Sequence, residues 1–124
     1  MAPRGQQLVM GIWGCGQCHG ETVTTPRHGA MRVTWIGHAT VLVQTAGLNI
    51  LTDPIWSERA SPFAFAGPRR VRAPGVRFED LPPIDLVLVS HNHYDHLDLP
   101  TLRRLWQRDR PLIVTSLGND TILR

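Results

Sequence analysis

The chain has 124 residues, a formal net charge of +3 and 42% hydrophobic residues. This length allows one domain at most, with enough apolar side chains to form a buried core. No stretch reaches the roughly 18 to 20 consecutive apolar residues of a membrane-spanning helix, so no such helix is predicted.

All thirteen basic residues are arginines, and most of them lie in two stretches, 67–77 and 103–110. We interpret both stretches as solvated loop and helix faces. The alternative is a surface for phosphate-bearing partners such as lipid headgroups or nucleic acid. A net charge this small does not decide between the two interpretations.

The first thirty residues show no strand or helix pattern, and we predict an unstructured tail there. They contain both cysteines, Cys15 and Cys18, in the stretch "CGQCH". A redox or metal-binding dithiol is a second interpretation, and covalent haem attachment is a third, since Cys-x-x-Cys-His is the haem c pattern. The residues before Cys15 resemble a signal peptide only faintly, so no localisation is predicted. A start at Met31 would leave the whole segment outside the protein.

Three short strands are predicted next, over 32–36, 40–46 and 48–53, from their alternating and β-branched residues. A glycine follows each of the first two, and a proline ends the third. Short strands separated by glycines are typical of antiparallel hairpins.

From Pro54 to Pro83 the sequence loses its periodicity, and we predict a long excursion over the surface. A loop this long in a compact domain is usually functional or disordered. Its aromatic residues, Trp56, Phe63 and Phe65, would either dock it on the core or line a substrate groove.

The nearly continuous aliphatic run at 84–90 predicts a strand that is covered on both faces. A helix follows, with Asp98 as its N-cap and Pro100 in its first turn. A further strand over 112–116 and the beginning of a helix over 117–124 indicate an α/β fold. The apolar face of the first helix is predicted to comprise Leu99, Leu102, Leu105 and Trp106.

The stretch "SHNHYDHLD" at 90–98 directly follows the predicted buried strand. Three imidazoles and two carboxylates so close together destabilise a protein unless something compensates, and a divalent metal does so most simply. The loop that leaves the carboxyl end of a buried strand is also where open α/β sheets hold ligands. The alternative is a polar turn that contains histidines by chance. Three histidines and one aspartate within six positions favour the metal site.

His91 and His93 are two residues apart, so in an extended chain they point the same way and could bind one ion through ring nitrogens. Asp95 and His96 are consecutive and point differently, which suits a second ion. Two ions about 3.5 to 4 Å apart lower the pKa of a bridging water and clamp a phosphoryl or acyl oxygen. Neutral imidazole and carboxylate suit Zn²⁺, without excluding iron or manganese. All four residues are therefore candidate metal ligands, and Asp95 is also the candidate catalytic residue.

Two residues outside this stretch are candidates for supporting the site. Asp53, at the end of the third strand, would hydrogen-bond a metal-binding histidine, which is compatible with an Asx-turn before Pro54. His38, in a sharp turn, would either face the same site or be a turn residue only. Asp98 is interpreted as a helix cap rather than as a ligand.

The pattern His91-x-His93-x-Asp95-His96 after a hydrophobic strand resembles the signature of the metallo-β-lactamase-fold hydrolases. Over about 31–124 the chain is more specifically similar to the N-acyl-phosphatidylethanolamine-hydrolysing phospholipases D and their bacterial relatives. The stretches that carry this similarity are "VTWIGHATVLV", "LTDPIWSERASP", "GPRR" and "LPPIDLVLVSHNHYDHLD". The resemblance implies an αβ/βα sandwich, of which 31–124 would be the N-terminal half.

The resemblance also implies two zinc ions, one bound by His91 and His93 and the other by Asp95 and His96. The implied reaction is hydrolysis of a phospholipid phosphodiester to an N-acylethanolamine and phosphatidic acid. The implied partners are a phospholipid substrate and the surface of a membrane, and a nucleic acid is not expected. Asp53 matches an aspartate that supports the site in this superfamily.

The sequence departs from the family pattern after His96. The family takes a further histidine, a bridging aspartate and a last histidine from the second half of its domain, whereas no histidine follows His96 here. We therefore expect a truncated enzyme that lacks the second sheet layer. The alternatives are another hydrolase on the same scaffold, such as a lactonase or a nuclease, or an inactive metal-binding fragment.

Overall fold

The computed structural model describes residues 8–12, 30–59, 61 and 66–123. Within these residues one mixed sheet carries two helices, which confirms the predicted α/β class. A 3₁₀ turn covers Phe78–Asp80. The strands, in both chain and sheet order, are β1 (Leu8–Ile12), β2 (Met31–Gly37), β3 (Thr40–Thr45), β4 (Leu48–Thr52), β5 (Leu86–Val89) and β6 (Leu112–Thr115). The helices are α1 (Leu99–Asp109) and the short α2 (Asp120–Leu123).

The strand directions bring two distant chain segments to one edge of the sheet. β2, β3 and β4 form an antiparallel meander through short turns, whereas β4, β5 and β6 run parallel. The crossover from β5 to β6 contains α1, as parallel neighbours require. Because β4 and β5 are parallel neighbours, Asp53 and Ser90, which follow them, lie side by side, and the N–H of Asp53 donates to the Leu88 carbonyl at 2.8 Å.

β1 lies within the segment that was predicted to be an unstructured tail. It pairs in parallel with β2, with Leu8 opposite Met31 and Ile12 opposite Trp35. The structure corrects the tail prediction at these five residues. Their sequence, LVMGI, is short and lacks polar alternation, so the strand comes from pairing with the edge of β2 rather than from a local pattern. Cys15 and Cys18 lie outside the described residues.

α1 begins and ends with recognisable caps. The Asp98 carboxylate accepts a hydrogen bond from the N–H of Thr101 at 3.2 Å, and Pro100 lies in the first turn, as predicted. The helix ends at Arg110, which is left-handed with φ of 55° and donates its N–H to the Trp106 carbonyl.

The buried face of α1 differs from the predicted face at one position. Leu102 and Leu105 lie in the core, but Trp106 is 46% exposed. The third buried residue of α1, beside the two leucines, is Thr101. Trp106 lies at the margin of the apolar face, where the Arg110 guanidinium is 5.3 Å from its ring centroid. The prediction that Trp106 shares the core face is therefore wrong.

The long excursion after Pro54 is docked on the core by Trp56. Its indole N–H donates to the Val76 carbonyl at 3.1 Å, and its ring meets the buried Phe78 ring edge to face at 5.8 Å. For Trp56 these contacts favour docking over a role in a substrate groove. Phe63 and Phe65 lie outside the described residues.

The sheet is covered on one face only, as far as the described residues show. Val87 and Val89 of β5 face the core against α1 and are buried, whereas Leu88 between them is 37% exposed. The prediction that this strand is covered on both faces is therefore wrong for the described residues. Other large apolar side chains that are exposed on this second face are Trp35, Leu48, Leu112 and Val114.

In the part of the chain that the structure describes, no helix has the length and apolar character needed to cross a membrane.

Candidate metal centre

Four histidines converge where β4 and β5 end. The rings of His91 and His93 meet edge to face with centroids 4.6 Å apart. The ring of His96 lies 4.0 Å from that of His91 and 5.1 Å from that of His38. The four predicted ligands thus lie in one cluster, and the assignment of each to a particular ion remains a prediction.

His38, Asp95 and His96 form a group of possible ligands whose donor atoms all lie within 4.8 Å of one another, and this group does not include His91 or His93. The His38 Nε2 atom is 3.1 Å from Asp95 Oδ2, and His96 Nε2 is 3.6 Å from the same oxygen. His38 also has a left-handed backbone with φ of 48°. The two alternatives for His38 therefore hold together, since it is a turn residue and it faces the site.

Asp53 contacts the ring nitrogen of His96 that faces away from Asp95. Its Oδ2 atom lies 2.9 Å from His96 Nδ1, and its two oxygens accept hydrogen bonds from the N–H of Ser90 at 2.7 Å and from the Ser90 hydroxyl at 2.8 Å. An ionised carboxylate only accepts, so Nδ1 of His96 carries the proton. The Nε2 lone pair is then free for a metal, which is the usual arrangement behind a ligating histidine.

Ser90 is a site residue that the sequence analysis missed. Its hydroxyl donates its single proton to Asp53, so toward His91 Nδ1, 2.8 Å away, it acts as an acceptor. His91 therefore carries its proton on Nδ1 and leaves Nε2 available for a metal. The one available signal in the sequence was its position, directly between the strand and His91.

Both carboxylates of the site have lowered pKa values. Burial would raise the pKa of Asp53, but the hydrogen bonds from His96 and Ser90 outweigh it, so the pKa lies below its ordinary value. For Asp95, slight burial acts in the same upward direction and is outweighed by a backbone hydrogen bond, the charge of His96 and the contact with His38. Both groups are therefore ionised at neutral pH, as metal binding requires.

Asp98 joins the chain segment after Asp53 to the segment after His96. This buried carboxylate accepts hydrogen bonds from the N–H groups of Trp56 at 3.1 Å and Ser57 at 2.9 Å, and from the Ser57 hydroxyl at 2.8 Å. Its N-cap role is therefore only part of its function in the fold. Because it fixes both segments to the start of α1, it also fixes the distance between Asp53 and His96.

The donor set fits a zinc ion. Imidazole nitrogens and carboxylate oxygens are common zinc ligands, and His96 and His91 each have the second ring nitrogen engaged by a neighbour. The approach to this set is an open groove lined by Pro68, Asn92, His93, Tyr94 and Asp95.

Comparison with known proteins places this geometry in a family. Residues 48–124, more than half of the chain, match the family model described as "Beta-lactamase superfamily domain". A solved structure, the isothiocyanate hydrolase from Delia radicum gut bacteria, superposes with a TM-score of 0.52 at 34% identity. The superposition covers 73% of this chain and 35% of that chain. These matches confirm the predicted metallo-β-lactamase-type fold.

Two relatives with names that describe an activity are similar over part of the chain. The "N-acyl-phosphatidylethanolamine-hydrolyzing phospholipase D 1" of Caenorhabditis elegans is 54% identical over 72 residues, which are 58% of this chain and 20% of that protein. A UPF0173 metal-dependent hydrolase of Methanopyrus kandleri is 40% identical over 67 residues, which are 54% of this chain and 24% of that protein. The chain thus spans between a fifth and about a third of the lengths of these three proteins. It belongs to the beta-lactamase superfamily, among relatives that include metal-dependent hydrolases.

Proposed function

We propose that this chain carries the metal-binding part of a zinc-dependent phosphodiester hydrolase that acts on N-acyl-phosphatidylethanolamine-type phospholipids. The observation that carries the proposal is the 54% identity over 72 residues with the nematode phospholipase. The convergence of His38, His91, His93, Asp95 and His96 beside an open groove supports it.

Within this proposal His91 and His93 hold one ion, and Asp95 and His96 hold the other. Bound zinc would supply Lewis-acid polarisation of a phosphoryl oxygen and an activated water. Asp53 keeps the His96 ring oriented through Nδ1, and Ser90 does the same for His91.

Asp95 is the proposed catalytic residue. Its lowered pKa keeps it ionised, and its side chain lies in the wall of the open groove. An ionised carboxylate in that position can accept a hydrogen bond from a water held beside the substrate and orient it. The His38 Nε2 atom, 3.1 Å from Asp95 Oδ2, holds the carboxylate in place.

A second candidate is a different hydrolase on the same scaffold, with the isothiocyanate hydrolase as the specific observation in its favour. A shared scaffold does not fix the substrate, because the reacting groups of different substrates meet the same metal ligands. In that case the metal centre would be unchanged and phospholipid would not be turned over.

A chimera tests the proposal, in which residues 31–124 of this chain replace the matching segment of the nematode enzyme. With zinc, the chimera should release N-acylethanolamine from N-acyl-phosphatidylethanolamine, and His93→Ala should abolish this activity. Arg103→Gln, at an exposed position on α1, is the matched control and should leave it unchanged. Hydrolysis of an isothiocyanate or a lactone without hydrolysis of the phospholipid would contradict the proposal. The 124-residue chain alone should show no turnover, because four ligands on a single loop do not fix two ions.

A further inference from the structure

Residues 66–77 form a loop, named here the arginine loop, that is attached to the core at both ends of its tip. At one end the Arg70 guanidinium donates to the Ile55 carbonyl at 2.6 Å, and its backbone N–H donates to the Glu58 carbonyl at 2.7 Å. At the other end the N–H of Gly75 donates to the Ile36 carbonyl at 2.7 Å. The tip, 71–74, is therefore held away from the core between two fixed points.

The tip exposes an apolar side chain among arginines. Val71 is 95% exposed, although the loop that carries it is hydrogen-bonded on both sides. Arg69 and Arg72, which flank it, are exposed as well. Arg69 pairs with Glu58 at 3.2 Å, but both side chains are largely in solvent, where such a pair contributes little. A valine held in solvent, with exposed arginines before and after it in the chain, has the composition of a surface that meets an anionic interface with an apolar interior.

The arginine loop also borders the candidate metal centre. Pro68 lines the same groove as His93, Tyr94 and Asp95, and only two residues lie between it and the exposed valine. The large ring of Tyr94, which also lines that groove, is exposed as well. A surface that touches the tip at Val71 would therefore lie next to the entrance of the groove.

We propose that residues 68–72 are a docking surface for an anionic lipid bilayer. Val71 enters the boundary between headgroups and acyl chains, and Arg69 and Arg72 contact lipid phosphates. The inference rests on the proposed function, since the bilayer would then present a phospholipid headgroup to the adjacent groove. A nucleic acid is a poorer match, because arginines alone would supply its affinity and the valine would remain in water.

Vesicle co-sedimentation of the 124-residue chain tests this inference. Vesicles of phosphatidylcholine mixed with phosphatidylglycerol are compared with vesicles of phosphatidylcholine alone, and neither contains an N-acylated lipid. Val71→Ser should weaken binding to the mixed vesicles about tenfold, the value for removing one valine from an apolar environment. Arg72→Gln should weaken it about fivefold, the value for one arginine at an anionic surface, and should not affect the neutral vesicles.

Two matched variants control for other surfaces. Leu112→Ser changes a 67% exposed residue at the start of β6, and the metal centre lies at the other end of these parallel strands. Arg103→Gln removes one exposed charge from α1. Both should bind vesicles like the unmodified chain. All four positions are exposed, so the variants should fold.

Three outcomes would overturn the inference. The first is that the unmodified chain does not bind the mixed vesicles. The second is that Leu112→Ser weakens binding as much as Val71→Ser, which would show that the uncovered sheet face meets the lipid. The third is binding to an RNA oligonucleotide that depends on Arg72 while Val71→Ser leaves vesicle binding unchanged. Because the vesicles contain no substrate, vesicle binding without hydrolysis in the chimera assay would refute the proposed substrate and leave the docking surface standing.

Discussion

The carboxylate of Asp53 and the imidazole of His96 lie 2.9 Å apart, from Oδ2 to Nδ1, although the two residues are 43 positions apart in the chain. The parallel pairing of β4 with β5 creates this contact by bringing the carboxyl ends of the two strands together. Three further hydrogen bonds to Asp53 keep it in place. The Thr40 hydroxyl donates to the Asp53 carbonyl at 2.7 Å, and both N–H and hydroxyl of Ser90 donate to its carboxylate.

Replacing Asp53 by alanine should weaken zinc binding about 10- to 100-fold, because His96 loses the partner that fixes its tautomer and orientation. Competition with a chromophoric zinc chelator measures the affinity. Asp80→Ala is the matched control, since that carboxylate pairs with Arg77 at the surface and should leave the affinity unchanged. An equal zinc affinity for the Asp53 variant and the unmodified chain would show that Asp53 does not support a ligand.

The free energy of unfolding of the metal-free protein should decrease as the pH is lowered through the range where Asp53 titrates. Its pKa in the folded protein lies below the ordinary value of 3.8, so the folded state binds fewer protons than the unfolded state in that range. The contribution of Asp53 is therefore complete above the ordinary value and is lost as pH falls through the lowered one.

Urea denaturation with a chelator present, from about pH 6 down to about pH 3, measures this contribution. Asp53→Asn should unfold at a lower urea concentration at the upper end and show a shallower loss of stability toward the lower end. The same slope for both proteins would contradict the assignment.

Asp98→Ala should lower the free energy of unfolding by about 3 kcal/mol, because it removes an N-cap, leaves the N–H of Ser57 without its acceptor, and leaves the N–H of Trp56 with only the Thr101 hydroxyl. Asp98→Asn keeps one oxygen acceptor and should lose less. Urea denaturation of both variants, with Arg103→Ala as the control on the exposed side of α1, measures the difference. Equal losses for the alanine and asparagine variants would mean that the acceptor role of Asp98 does not matter.

The periodic features of the sequence predicted most of the sheet. β2, β3, β4 and β6 lie within one or two residues of their predicted bounds, because alternation and glycines are local signals. The motif at 91–96 was visible for the same reason, since its residues are neighbours in sequence. The part of the prediction that failed at β5 depended on a second layer, and no local signal reports what covers the outer face of a strand.

Contacts that depend on the tertiary fold were not predictable. The approach of His38 to Asp95 joins residues 57 positions apart, and it requires the left-handed turn between β2 and β3 to point toward the loop after β5. Ser90 acts through a hydroxyl that could have faced either side of its strand end. β1 has no periodic pattern of its own, because its partner strand supplies the hydrogen bonds that define it.

The central claim is that the loop after β5 binds metal, and zinc titration of the 124-residue chain tests it most directly. Cys15→Ser and Cys18→Ser are introduced throughout, so that the two thiols do not contribute. We expect the chain to bind zinc and the double variant His91→Ala/His93→Ala to lose that binding. A zinc stoichiometry and affinity that are unchanged in the double variant would contradict the account.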